Sequence, residues 1–177
     1  MAISVVLLRG VNVGRHRRVT MADLRAAMAA AGYPDVETHV QSGNLLVSTS
    51  VRTARLAADV EAALRAELGL EVDAIVRTGA QLRKVLTANP FLAEGGPTNA
   101  LHVGFAKVKP TPAAVRALAE RDFGRDRATV VGAEVYLCYP DGQGRSKMSG
   151  VTLEKILGVP ITVRNWNVTT ALAQRAS

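Results

Sequence analysis

Guanidinium, amide and glycine groups gather in three parts of this chain. They are R-G-V-N-V-G from Arg9 to Gly14, Q-S-G-N from Gln41 to Asn44, and a C-terminal pair, D-G-Q-G-R-S-K from Asp141 to Lys147 with R-N-W-N from Arg164 to Asn167. Such groups hold negative charge. Arg9 and Asn12 bracket a glycine-containing turn directly after an apolar run, so a guanidinium, an amide and backbone N–H groups could converge on an anion there. The competing explanation is conformational: Gly10 and Gly14 permit the turn while Asn12 takes a left-handed backbone. Gln41, Ser42 and Asn44 divide the same way, between binding amides and hairpin chemistry.

The segment Gly142 to Lys147 precedes a helical pattern, and the free N–H groups at a helix start favour phosphate or sulfate. The G-x-x-x-x-G-K spacing of a phosphate-binding loop is absent. The conformational alternative makes Ser146 the helix N-cap. Arg164 to Asn167 mark the start of the last helix, where Trp166 could stack a base or, as the preferred reading, anchor the core. Asn165 or Asn167 is then the cap and Arg164 the ligand contact. The candidate binding residues are therefore Arg9, Asn12, Gln41, Asn44, Arg145, Ser146, Lys147, Arg164, Asn165 and Trp166.

Groupings suited to catalysis are sparse. His16, His39 and His102 are far apart and lack metal-ligand spacing, so neither a metal nor a cofactor is expected. Cys138 sits in an apolar run and reads as a small core residue. Asp35, Glu37 and Asp141 have no obvious carboxylate partner for general acid–base work. Ser146 beside Lys147 hints at an activated hydroxyl, an adjacency that chance also supplies.

The elements that must position these residues follow from the hydrophobic pattern. Hydrophobic residues make up 48% of the 177 and charged residues 21%, which excludes a disordered chain and predicts a packed core. The formal charge is +7, shared as +3 before Asn89 and +4 from it onward, so a nucleic-acid footprint would have to be local. No apolar run is long enough for a membrane span, and the start of the chain has no secretory signal pattern. With one cysteine and so no internal disulfide, a cytoplasmic location is expected.

Ile3 to Leu8 predicts a strand, and Thr20 with Asp23 the cap of a first helix ending near Gly32. Val36 to Val40 and Asn44 to Val47 predict a hairpin. A second helix carries Leu56, Val60, Ala63 and Leu64 to a stop at Gly69. Val72 to Val76 is the fourth strand, and Thr78 with Gln81 caps a third helix. After Gly95-Gly96-Pro97 the order repeats: strand 101–105, a helix opened by Thr111 and Pro112, a hairpin about Gly132-Ala133, a helix stopping at Gly158, strand 161–163, and a last helix 168–174. The expected fold is α+β: two βαββαβα units, each a ferredoxin-like antiparallel sheet covered by helices, with halves at 1–88 and 100–177 joined by 89–99, or the whole forming one compact domain. This reading sends the loops after the first and third strands of a unit to one end of its sheet, and the hairpin turn and the end of the fourth strand to the other.

Several of these motifs together resemble one family. L-L-R-G-V-N-V-G at Leu7 to Gly14, T-H-V-Q-S-G-N at Thr38 to Asn44, N-P-F at Asn89 to Phe91, G-R-S-K at Gly144 to Lys147 and T-V-R-N-W-N at Thr162 to Asn167 are similar to the pattern of domain-of-unknown-function family 1697, a group of uncharacterised bacterial proteins. The resemblance implies duplicated α/β halves and no established activity. Members often continue the first loop with glycine and lysine, where this chain has Arg15, His16, Arg17 and Arg18. The closing motif is commonly followed by Thr-Val, where this chain has Val168-Thr169.

The expected function is binding of an anionic partner through the Arg- and amide-rich loops: a phosphorylated small molecule, a nucleotide or a nucleic-acid segment, with no membrane partner. The alternatives are an enzyme acting on an anionic substrate, which would need a pocket with a perturbed titratable group, and an assembly module pairing through open sheet edges.

Overall fold

The computed structural model describes residues 1–13 and 18–177. Gly14, Arg15, His16 and Arg17, which end the first glycine-containing motif and begin its basic continuation, lie outside them. The chain forms two compact units, one of Met1–Arg83 with Leu172–Ser177, the other of Lys84–Ala171.

The first unit contains β1 (Ala2–Leu8), α1 (Met21–Ala30), β2 (Glu37–His39), β3 (Asn44–Thr49), α2 (Thr53–Leu68) and β4 (Ala74–Thr78). Its strands lie in the order β2-β3-β1-β4 and every pair is antiparallel, the split βαβ arrangement of a ferredoxin-like sheet. Thr20 Oγ1 opens α1 by accepting from Asp23 N at 3.0 Å, and Gly69, left-handed at φ 63, ends α2. The apolar stripes of both helices, Leu24 and Met28 on α1 and Leu56, Val60 and Leu64 on α2, bury against Val6, Leu8, Leu45, Val47, Ala74 and Val76. Alternation along the strands turns Val5, Leu7, Leu46 and Ile75 to the other face, which is buried as well.

The chain's last residues reach that second face. Arg175, near the end of α6 (Trp166–Arg175), pairs with Glu37 Oε2 and meets His39 Nδ1 at 3.1 Å. Glu37 and His39 stand opposite Leu46 and Asn44 in the register, so all four share the face turned away from α1 and α2. Gly79 opens α3 (Gly79–Thr87), and a Cβ there would lie 2.0 Å from Ala176 O, so the close approach of the C-terminal backbone requires glycine.

The second unit repeats the plan with β5 (Leu101–Ala106), α4 (Pro112–Ala119), β6 (Arg127–Val131), β7 (Glu134–Cys138), α5 (Gly150–Leu157) and β8 (Ile161–Asn165), in the order β6-β7-β5-β8. Thr111 caps α4 with Pro112 following, and left-handed Gly158 ends α5. Leu118, Leu153 and Leu157 pack with Val135, Leu137 and Ile161. On the opposite face the Tyr136 hydroxyl, whose pKa burial pushes up to about 12, donates to Val85 O of α3 at 2.9 Å.

Two expectations are corrected. Leu7 pairs with Asn44 and Leu8 N donates to Gly43 O at 2.8 Å, so the loop after β1 and the hairpin turn share one end of the first sheet. Because β1 and β2 are each antiparallel to β3, they run the same way, and the loop after β3 lies at the far end with the end of β4, where Thr78 pairs with Ser4. The second correction concerns α5: its cap is Ser149, which accepts from Thr152 N at 3.2 Å, and Ser146 stands apart from the helix.

Candidate functional site

In the first unit the corrected topology collects Arg9, Asn12, Gln41 and Asn44 at one end of the sheet. Two of the amides are spent on architecture. Asn12 is left-handed at φ 57. Its Nδ2 donates to Gln41 O at 2.7 Å and to Val19 O at 3.0 Å, while its Oδ1 accepts from Val19 N at 2.8 Å. It thereby ties the loop after β1 to the hairpin. Asn44 is fully buried and donates to His39 O and Ser42 Oγ, both at 2.9 Å, closing the turn. Gly43 at φ +76 lets the turn press on β1, since a Cβ there would fall 3.0 Å from Leu8 Cβ. The Arg9 guanidinium is 3.7 Å from Asp73 Oδ2, and the Gln41 side chain is exposed.

In the second unit, Cys138 opposite Leu101 and Asn165 opposite His102 put the loop after β7 and the end of β8 at one end of the sheet. The loop is pinned at several points. Tyr139 OH donates to Met148 O at 2.8 Å, Ser146 Oγ donates to Asp126 Oδ2 at 2.5 Å, and Met148 N donates back to Ser146 Oγ at 2.9 Å. Two nearby arginines are neutralised: Arg125 pairs with Asp141 at 2.7 Å, and Arg127 with Glu94. Arg145 and Lys147, which flank the pinned Ser146, are exposed and have no acidic partner among the described residues.

At the end of β8, Arg164 is 7% exposed, and its Nη1 donates to Thr162 Oγ1 at 2.6 Å and Val163 O at 3.0 Å. Desolvation lowers its pKa to about 10. Its side chain is buried on the face of the sheet opposite Ile161 and Val163. Trp166 is buried, and Asn165 Oδ1 caps α6 by accepting from Val168 N at 2.8 Å, which starts the helix two residues before the expected 168.

The sequence reading missed a cleft of about 400 Å³ in this unit, lined by Pro90, Phe91, Glu94, Leu118, Ala119, Arg121, Phe123, Asp126, Arg127, Ala128 and Thr129. Only the N-P-F motif at 89–91 signalled it. There Asn89 Oδ1 accepts from Phe91 N at 3.0 Å, and the Arg127 guanidinium lies 4.8 Å over the Phe91 ring. Also missed was Arg77, 8% exposed on β4. Among the described residues no cluster of three or more His, Cys, Asp or Glu is arranged to hold a metal, and no helix is long and apolar enough to cross a membrane.

Residues 1–136 match a family model described as a protein of unknown function, DUF1697. The G-R-S-K and T-V-R-N-W-N motifs fall beyond the matched residues. No curated protein matches the chain. Among solved structures, a conserved bacterial protein from Streptococcus pneumoniae superposes with a TM-score of 0.72 at 18% identity, over 99% of each chain. The similarity is one of fold.

Proposed function

Because the chain belongs to the DUF1697 family, whose description assigns no activity, we propose from its own chemistry that it binds a phosphorylated small molecule at the loop joining β7 to α5. One observation carries this reading. Among arginines paired with carboxylates, Arg145 and Lys147 stand unneutralised on either side of a serine whose hydroxyl is fixed by Asp126. A rigid loop presenting two free cations loses little entropy on capturing an anion, and a guanidinium beside an ammonium suits a phosphate group. A cytoplasmic setting, where phosphorylated metabolites abound, fits the single buried and unpaired Cys138.

The test is titration of the full chain with inorganic phosphate, followed by amide chemical shifts of residues 140–149 and by calorimetry. Replacing Arg145 and Lys147 together by alanine should weaken binding by about tenfold or more. Unchanged affinity in that double variant would sink the reading.

A further inference from the structure

Asp126 belongs to two features at once. Its Oδ2 accepts the Ser146 hydroxyl, and the residue lines the cleft beside β6, so the loop carrying Arg145 and Lys147 and the cleft share a wall. A volume of about 400 Å³ suits a small organic molecule and far exceeds what a bare phosphate fills. The floor is apolar, with Phe91 and Leu118 buried and Phe123 half-buried. Arg127 is held over Phe91 by its pairing with Glu94, and presents a fixed, flat guanidinium on which a second π-system can stack. Asp126 Oδ1 has no hydrogen-bond partner among the described residues, leaving a carboxylate oxygen to accept from N–H groups.

We infer that the cleft takes the base of a nucleotide whose phosphate lies on the Arg145–Lys147 loop. The base stacks on Arg127, rests against Leu118 and Phe123, and turns its N–H groups to Asp126. The phosphate half of this assignment rests on the anion reading above.

Calorimetry on the full chain with inorganic phosphate, the four common ribonucleosides and their 5′-monophosphates separates the two claims. Ala119 and Thr129 are exposed and line the cleft, so Ala119→Trp on α4 and Thr129→Trp on β6 fill it from two elements without removing core contacts. Thermal melting identifies which of the two variants is folded. At least one monophosphate should bind about tenfold or more tightly than inorganic phosphate. A folded tryptophan variant should lose that gain and keep its phosphate affinity. If phosphate binds but no monophosphate binds more tightly, or if the gain survives in a filled cleft, the nucleotide assignment is overturned and the anion reading stands. Wild-type protein that fails to bind phosphate overturns the anion reading and the nucleotide assignment with it.

Discussion

Arg77 and Arg164 hold the same place in their respective sheets: Arg77 faces Val5 in the β1·β4 pair, and Arg164 faces Val103 in the β5·β8 pair. Each is more than nine-tenths buried, and each donates from Nη1 to the carbonyl of the residue before it at 3.0 Å. Each is followed by a residue that caps the next helix, Thr78 in one unit and Asn165 in the other. The duplication thus extends to a buried charged residue on an edge strand of each sheet.

Arg164→Ala removes a long stem from a packed face and deletes the hydrogen bond from Arg164 to Thr162 Oγ1, so unfolding free energy should fall by about 2–4 kcal/mol. Arg164→Met keeps the stem and drops the buried charge, and should cost less. Urea denaturation of both variants decides this, and equal losses would contradict it.

Asn12 offers a separable pair of effects. Asn12→Ala deletes three hydrogen bonds and keeps a β-carbon at φ 57, while Asn12→Gly deletes the same bonds but removes that β-carbon and suits the backbone. Both should lose stability, with alanine worse by about 1 kcal/mol. Glycine proving worse than alanine would mean that the loop leaves this conformation.

Gly79→Ala forces a β-carbon to within 2.0 Å of Ala176 O unless the backbone yields. A loss of about 1–3 kcal/mol is expected, together with faster amide exchange across residues 172–177. Undiminished protection of those amides would count against the close approach.

Acid should weaken the fold through its histidines. Burial, and for His39 also the charge of Arg175, lowers the pKa of His39 and His102 below the ordinary 6.5. The unfolded chain therefore takes up protons first as pH falls through 6.5, so stability drops there and stops dropping below the folded values. Thermal melts from about pH 7.5 to 5 should show this decline, and His39→Gln should make it shallower. A variant with the wild-type slope would remove His39 from the account.

Local chemistry was the most legible part of the sequence. The caps at Thr20, Thr78 and Thr111 and the left-handed stops at Gly69 and Gly158 are fixed by neighbouring residues, and each lies where it was expected. The order of elements along the chain followed from the repeat of hydrophobic runs. Which loops share an end did not, because it depends on register, seen in the pairing of Leu7 with Asn44. Ser146 was a reasonable cap on spacing alone; the structure gives its hydroxyl to Asp126, twenty positions away, which no local pattern encodes. The cleft was invisible for the same reason: Phe91, Leu118 and Arg127 come from three separate segments. Arg164 looked like a ligand contact because the strand was expected to end at Val163, leaving it in the junction before the last helix; β8 instead runs to Asn165 and buries it.

The return of residues 172–177 to the first unit bears on how the molecule is made. A nascent chain that has released only its first 83 residues from the ribosome holds four strands and two helices but lacks the segment that meets Glu37, His39 and Gly79. That contact closes a loop of well over half the polypeptide, which makes it an entropically late event. Until residues 172–177 have emerged, Glu37 and His39 on the amino-terminal sheet lack Arg175, and that part of the sheet is a surface for chaperones to guard.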